Sequence, residues 1–113
     1  MFEKGTVVLV PFPFTDLSAQ KVRPAVILSR KNTGGDVTVA FISSRVLRKA
    51  HIFDIVINST NAGFNNTGLK INSVIKVNKL ATLDKKITLG ELSTLDTSTR
   101  EAVDRKLKLF FGL

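Results

Sequence analysis

Hydrophobic residues in the first half of this sequence fall in short runs separated by turn-forming residues, a pattern typical of β-strands. The first run, residues 6–10, is continuous and rich in β-branched side chains. Pro11 is expected to end it, because proline cannot donate to a sheet ladder. Residues 25–28 and 37–42 form the second and third runs, with two adjacent glycines between them. These glycines predict an antiparallel hairpin.

The second half of the chain is predicted to contain shorter strands around one loop. Four segments have strand character: residues 53–57, 73–77, 79–83 and 85–92, the last being a short strand or a turn. The Asn- and Gly-rich residues 58–68 are predicted to form a loop, because both residue types favour the backbone geometry of turns.

The hydrophobic period changes near the C-terminus to one typical of a helix. Ser98 and Glu101 have the spacing of a capping box, and apolar residues follow at helical spacing until Gly112. Several short strands and one helix in 113 residues predict a mostly β fold with a C-terminal helix. We expect a small, strongly bent antiparallel barrel on which the helix packs. A chain of this length is expected to be one domain, residues 1–113.

The net charge of +8 suggests a polyanionic partner, and the distribution of the charge sharpens that expectation. Residues 17–83 contain ten Lys and Arg residues but only two acids, Asp36 and Asp54, whereas the rest of the chain holds seven of each sign. This concentration favours a single basic surface that binds RNA, DNA or an acidic peptide. A generally cationic surface without a specific partner is the alternative.

The composition also argues against several kinds of chemistry. There is no Cys, so neither a disulfide nor a thiolate metal site can form. A single histidine, His51, excludes a ribonuclease with two catalytic histidines from one chain, and the sparse carboxylates of the basic region predict no bound metal and no cofactor. We recognise no nucleotide-binding glycine motif, leader or membrane-spanning run, and therefore expect a cytoplasmic protein.

Arg23 and Ser43 are the candidate catalytic residues. Pro24 biases Arg23 toward extended geometry at the start of a strand, and Ser43 ends the next strand. Because the start of one strand lies beside the end of the next in an antiparallel hairpin, we expect both at one rim. There they can bind a phosphodiester and stabilise its transition state. Alternatively, Arg23 is a surface residue whose stem packs on Phe12 or Phe14.

Several segments resemble the MazF/PemK toxins of bacterial toxin–antitoxin pairs. They extend over nearly the whole chain: residues 5–10, 23–29, 39–44, 68–69, 73–77, 80–83 and the closing helix with residues 111–113. The Arg-Pro strand followed by Ile42 and Ser43 is the most specific of them. The resemblance implies an SH3-like barrel that forms a homodimer, with single-stranded RNA lying across the dimer groove.

The same resemblance implies a metal-independent endoribonuclease toxin that leaves a 2′,3′-cyclic phosphate and a 5′-hydroxyl. A cognate antitoxin with an acidic, partly disordered tail is the expected inhibitor, and operator DNA is a further expected partner, bound through the antitoxin. Two alternatives stay open. The first alternative to the endoribonuclease is a barrel that binds nucleic acid, such as DNA together with its antitoxin, without cutting it. The second is a gyrase-directed toxin of similar fold.

The family's catalytic arginine falls on Arg23 and its catalytic threonine on Ser43. The candidate substrate-binding residues are Lys21, Ser44, Arg45, Lys49 and Asn78. The loop before Arg23 is shorter than in the best-known members and lacks their acidic residue. Asn78 stands where an acid is often found. Both departures predict a change in which bases are recognised.

Overall fold

The computed structural model describes residues 3–12, 21–30, 34–44, 51–57 and 72–113. Within these residues the chain forms β1 (Thr6–Phe12), β2 (Lys21–Ile27), β3 (Asp36–Ser43), β4 (Asp54–Ile57), β5 (Ser73–Asp84), β6 (Gly90–Thr94) and α1 (Thr97–Phe111). A 3-10 turn, Lys85–Ile87, joins β5 to β6. The strands form one antiparallel sheet in the order β4-β5-β3-β2-β1-β6, curled into a half-barrel. The predicted fold class is confirmed.

Both faces of the sheet carry buried side chains, which explains why the first three strands are nearly continuous hydrophobic runs. The helix face, on which α1 packs, holds Val7, Val26, Ala40, Ile42, Ile57, Ile75 and Val77, with Leu95 and Val103 over them. The opposite face, here the distal face, holds Val8, Val10, Ala25, Ile27, Val37, Val39 and Leu83. The predicted hairpin is confirmed, since β2 and β3 are antiparallel neighbours.

β1 continues through Pro11 to Phe12, so the predicted end of this strand is wrong. Pro11 pairs with Val22 of β2, whereas the pairing of β1 with β6 stops at Leu9. The Leu9 carbonyl accepts a 2.8 Å hydrogen bond from the Leu89 N–H. Two residues further on, the nitrogen of Pro11 faces the same side, beyond the end of β6. The missing N–H of proline therefore interrupts no ladder bond.

The two predicted strands 73–77 and 79–83 are a single strand, β5, that contains a bulge. Where β3 advances by one residue from Ala40 to Phe41, the partner on β5 moves from Leu80 to Lys76, so residues 77–79 are extra. Extra residues bend a strand and increase its local twist. The strand assignment from hydrophobic runs failed here because a bulge breaks the alternation without ending the strand.

The N-cap of α1 is Asp96, so the predicted capping box of Ser98 and Glu101 is wrong. The Asp96 carboxylate accepts a 2.8 Å hydrogen bond from the Thr99 N–H, which satisfies a donor that the helix leaves free. Gly112 ends the helix in a left-handed conformation with φ 70°, as predicted. No helix in the described part of the chain is long and apolar enough to span a bilayer.

The Asp96 cap should make helix stability depend on pH. Hydrogen bonds from the Thr99 side chain and backbone, and then the charge of Arg100, lower the pKa of Asp96 from its usual 3.8. A lowered folded-state pKa stabilises the fold above the unfolded value, and this contribution is lost as the pH falls through the folded-state pKa. Asp96→Ala should therefore lower the free energy of unfolding by about 0.5–2 kcal/mol at neutral pH, and by less in strong acid.

Urea denaturation of both proteins at neutral pH and near pH 2 measures this difference. Glu101→Ala is the matched control, because Glu101 is an exposed acid of the same helix. Its effect should stay within about 0.5 kcal/mol. An equal loss for Asp96→Ala at both pH values would contradict the assigned role of the carboxylate.

Candidate active site

Arg23 lies in β2, and its position relative to β3 follows from the strand register. Val10 of β1 pairs with it on one side. On the other side, the pairing of β2 with β3 ends at Ala25 and Phe41. Continuing that register for two residues sets Arg23 opposite Ser43. Opposite residues of antiparallel strands project to the same face, so both belong to the distal face.

Pro24 explains why the pairing of β2 with β3 stops just before Arg23. The Leu28 N–H donates to the Thr38 carbonyl at 2.8 Å, so the backbone of Leu28 faces β3. Alternate residues of a strand face the same neighbour, and the nitrogen of Pro24 is therefore directed at β3 as well. Proline has no N–H, so this ladder bond is missing. Because this hydrogen bond is missing, β2 and β3 are less tightly joined where Arg23 and Ser43 lie.

The Arg23 side chain is half-buried, and no hydrogen bond or ion pair joins its guanidinium to another described residue. A guanidinium offers five N–H donors in a planar fork and stays charged in proteins. A fork of this kind matches two oxygens of a phosphate. Arg23 is therefore available to an external anion, and its neighbours Val10 and Ala25 are fully buried and hold the strand beneath it.

Of the other predicted site residues, the structure describes Ser44, Asn78 and the backbone of Lys21. Ser43 ends β3 and pairs with Val74 of β5, and Ser44 follows it and is exposed. Lys21 is the first residue of β2 and pairs with Phe12, but its side chain lies outside the description, as does that of Phe12. Arg45 and Lys49 lie outside the described residues.

Asn78 lies in the bulge of β5, four residues beyond Val74, up to roughly 13 Å along the strand. It is partly buried, and its Oδ1 is buried without a hydrogen-bond partner among the described residues. Leaving a buried amide oxygen unpaired costs free energy. Asn78 is therefore too far along β5 to contact a phosphate bound between Arg23 and Ser43.

An ion pair on the distal face is a feature that sequence reasoning missed. Lys76 Nζ lies 3.0 Å from Asp54 Oδ2, which also accepts a 2.9 Å hydrogen bond from the His51 N–H. The Asp54 side chain is only 2% exposed and that of Lys76 is 19% exposed. The two residues are 22 positions apart, so no local spacing relates them. Only the pairing of β4 with β5 brings them together.

The described residues contain no group of three or more His, Cys, Asp or Glu side chains placed to hold a metal ion. His51 serves a local turn, where its Nδ1 accepts from the Phe53 N–H at 3.3 Å. On the distal face the described residues Arg23, Ser43 and the Asp54–Lys76 pair offer a guanidinium, a hydroxyl and an ion pair.

The curled sheet and its C-terminal helix are features shared with known proteins. Residues 3–111 match the model of a family described as PemK-like, MazF-like toxin of type II toxin–antitoxin system. The chain belongs to this toxin family. The resemblance seen in the sequence is thereby confirmed. No curated protein matches the chain in sequence.

Solved structures of MazF toxins have the same fold. MazF of Deinococcus radiodurans, crystallised with MazE, is 19% identical, with a TM-score of 0.76 over 99% of this chain and 96% of that one. The Mycobacterium tuberculosis toxin MazF-mt6 is 22% identical, with a TM-score of 0.71 over 96% and 97%. A mycobacterial endoribonuclease in complex with its cognate antitoxin is 16% identical, with a TM-score of 0.74 over 100% and 97%. At these identities the likeness concerns the fold.

Proposed function

We propose that this MazF-like protein is a sequence-specific, metal-independent endoribonuclease that cleaves single-stranded mRNA. The observation that supports this proposal best is the position of Arg23, a half-buried guanidinium without a described partner, across from Ser43 on the distal face. Membership of the toxin family agrees with it, and two similar structures are those of endoribonucleases.

In the proposed reaction the substrate supplies its own nucleophile. The ribose 2′-hydroxyl loses its proton and attacks the adjacent phosphorus, a P–O2′ bond forms, and the P–O5′ bond breaks as the 5′-oxygen takes up a proton. The products are a 2′,3′-cyclic phosphate and a 5′-hydroxyl. An attacking group already tethered beside the phosphorus needs no metal-bound water.

Arg23 and Ser43 act on the phosphate in this scheme. The guanidinium donates to two phosphate oxygens and stabilises the negative charge that grows on them in the transition state. The Ser43 hydroxyl, on the neighbouring strand β3, donates a hydrogen bond to the same phosphate. Serine lacks the methyl group of threonine, so its hydroxyl is less restricted in rotation.

The remaining candidate residues are proposed to bind the RNA around the cleaved bond. Lys21, Arg45 and Lys49 bind flanking phosphates, and Ser44 contacts the chain at the exposed end of β3. The side chain of Asn78 is partly buried in the bulge of β5, and its amide carries both donors and an acceptor that can pair with a base. Asn78 would then contribute to the choice of cleavage sequence.

We also propose a homodimer that is inhibited by an antitoxin with an acidic tail. The excess of basic residues between positions 17 and 83 suits an acidic chain. The MazF of D. radiodurans was solved with MazE, and a mycobacterial endoribonuclease with its cognate antitoxin. Operator DNA would be bound through the antitoxin. Cleavage of mRNA takes place in the cytoplasm and inhibits growth.

Incubation of the purified protein with mixed-sequence RNA in EDTA tests the proposed activity. Fragments that carry a cyclic phosphate or 3′-phosphate and a 5′-hydroxyl, cut at one short recurrent sequence, are the expected result. Intact RNA in the presence of folded protein would contradict it. Salt-sensitive retention of RNA or DNA without cleavage would then identify a binding protein, and inhibition of DNA gyrase would identify a gyrase-directed toxin.

A further inference from the structure

The ion pair between Asp54 and Lys76 lies one row from the proposed catalytic residues. Lys76 pairs with Phe41 of β3 on one side and with Asp54 of β4 on the other, so the three share a row of the distal face. Ser43 is two residues beyond Phe41 and pairs with Val74, which makes Ser43 and Lys76 diagonal neighbours. Such neighbours are roughly 7–8 Å apart, within reach of a long side chain.

Lys76 is held in place by a carboxylate that is itself fixed. Asp54 Oδ2 accepts from Lys76 Nζ and from the His51 N–H, so the carboxylate is anchored to the turn before β4. No other described residue bonds to the Lys76 ammonium, which has three donors, and the side chain is partly exposed. Two donors therefore remain for a ligand. A lysine that is ordered before binding loses less side-chain entropy when the ligand arrives.

Stability alone accounts poorly for this pair. Buried ion pairs are often no more stabilising than apolar side chains of the same volume, because both charges must leave water. Here the cost is larger still, since Asp54 Oδ1 is buried and has no hydrogen-bond partner among the described residues. A function for the lysine explains why its carboxylate partner is placed beneath it.

We propose that Asp54 is a positioning residue that fixes the Lys76 ammonium one row from Ser43, where the ammonium binds a phosphate of the RNA next to the cleaved bond. This inference rests on the proposed ribonuclease function. Asp54 acts only through Lys76 and never touches the substrate. Because the pair is neutral as a whole, its contribution is local: it places one donor group and adds little long-range attraction for RNA.

Two measurements on four variants test the role of the pair. The first is the salt dependence of binding to an RNA with a 2′-deoxy nucleotide at the cleaved position, and the second is single-turnover cleavage. Asp54→Asn/Lys76→Gln keeps hydrogen-bonding groups but removes both charges, and Asp54→Asn alone leaves a charged lysine unheld. Lys76→Arg retains the charge. Lys86→Gln is the matched control, since Lys86 is exposed in the turn beyond the other end of β5.

The double variant should cut RNA roughly 10- to 100-fold more slowly, the range for a lost hydrogen bond to a charged group. Its slope of log affinity against log salt should be shallower by about 0.7, as for one lost phosphate contact. Asp54→Asn should keep the slope and lower kcat with little change in KM, because the charge remains but its position is lost. Lys76→Arg should recover part of the rate, and Lys86→Gln should match the unsubstituted protein.

A folded double variant with an unchanged rate and salt slope would overturn the inference and leave the ribonuclease proposal intact. If the double variant fails to fold by circular dichroism, an unchanged cleavage rate in Asp54→Asn would overturn it instead. If the unsubstituted protein cuts no RNA, the proposed function itself fails. The salt slope of RNA binding then still decides whether Lys76 contacts a phosphate.

Discussion

Arg23→Ala is expected to slow single-turnover RNA cleavage by about 10²- to 10³-fold or more, the usual cost of removing one preorganised donor to a developing negative charge. The guanidinium is half-buried and makes no hydrogen bond or ion pair with another described residue, so its loss should leave the fold intact. The effect should appear in kcat more than in KM, because the charge that Arg23 stabilises grows in the transition state.

The matched control for this variant is Arg30→Ala. Arg30 is an exposed arginine three residues beyond the end of β2, so both variants lose the same charge from the same hairpin. Cleavage in EDTA should persist in Arg30→Ala. Arg23→Lys, which keeps a positive charge but loses the planar fork, should fall between Arg23→Ala and the unsubstituted protein. An Arg23→Ala protein that cuts at the original rate would exclude Arg23 from catalysis.

Ile75→Ala is expected to lower the free energy of unfolding by about 2–5 kcal/mol, the range for large-to-small changes in a packed core. Ile75 is completely buried on the helix face and belongs to the cluster that α1 covers. It also pairs with Ile42 of β3 and Ile55 of β4. The cavity would therefore open at the centre of three paired strands. The backbone there is hydrogen-bonded on both sides and cannot easily move in to fill it.

Urea denaturation measures the loss, with the slope of the transition checked for two-state behaviour. Ile52→Ala is the matched control, because Ile52 is 58% exposed and lies just before β4. The same substitution there should change the stability by no more than about 0.5 kcal/mol. Similar losses for the two variants would show that the cluster on the helix face is not the main source of stability.

The sequence alone was enough to determine most of the strands, the single helix and the toxin family. Continuous β-branched runs predict strands that are buried on both sides, and such local patterns survive folding because they agree with the tertiary packing. The placement of Arg23 beside Ser43 also follows from local information. The glycine pair predicts a hairpin, and in a hairpin the start of one strand lies near the end of the next. The exact register, with Ala25 opposite Phe41, is known only from the structure. The catalytic roles of Arg23 and Ser43 stay predictions.

Tertiary structure decided the features that depend on residues far apart in the chain. Pro11 is accepted inside β1 because β6, nearly eighty positions later, ends before reaching it. β5 continues through its bulge because β3 pairs with it on both sides of residues 77–79. Asp54 and Lys76 meet only because β4 pairs with β5. In each case the arrangement is stabilised by hydrogen bonds or a charge contact between strands that are far apart in the sequence. Local sequence patterns do not reveal which strands will pair.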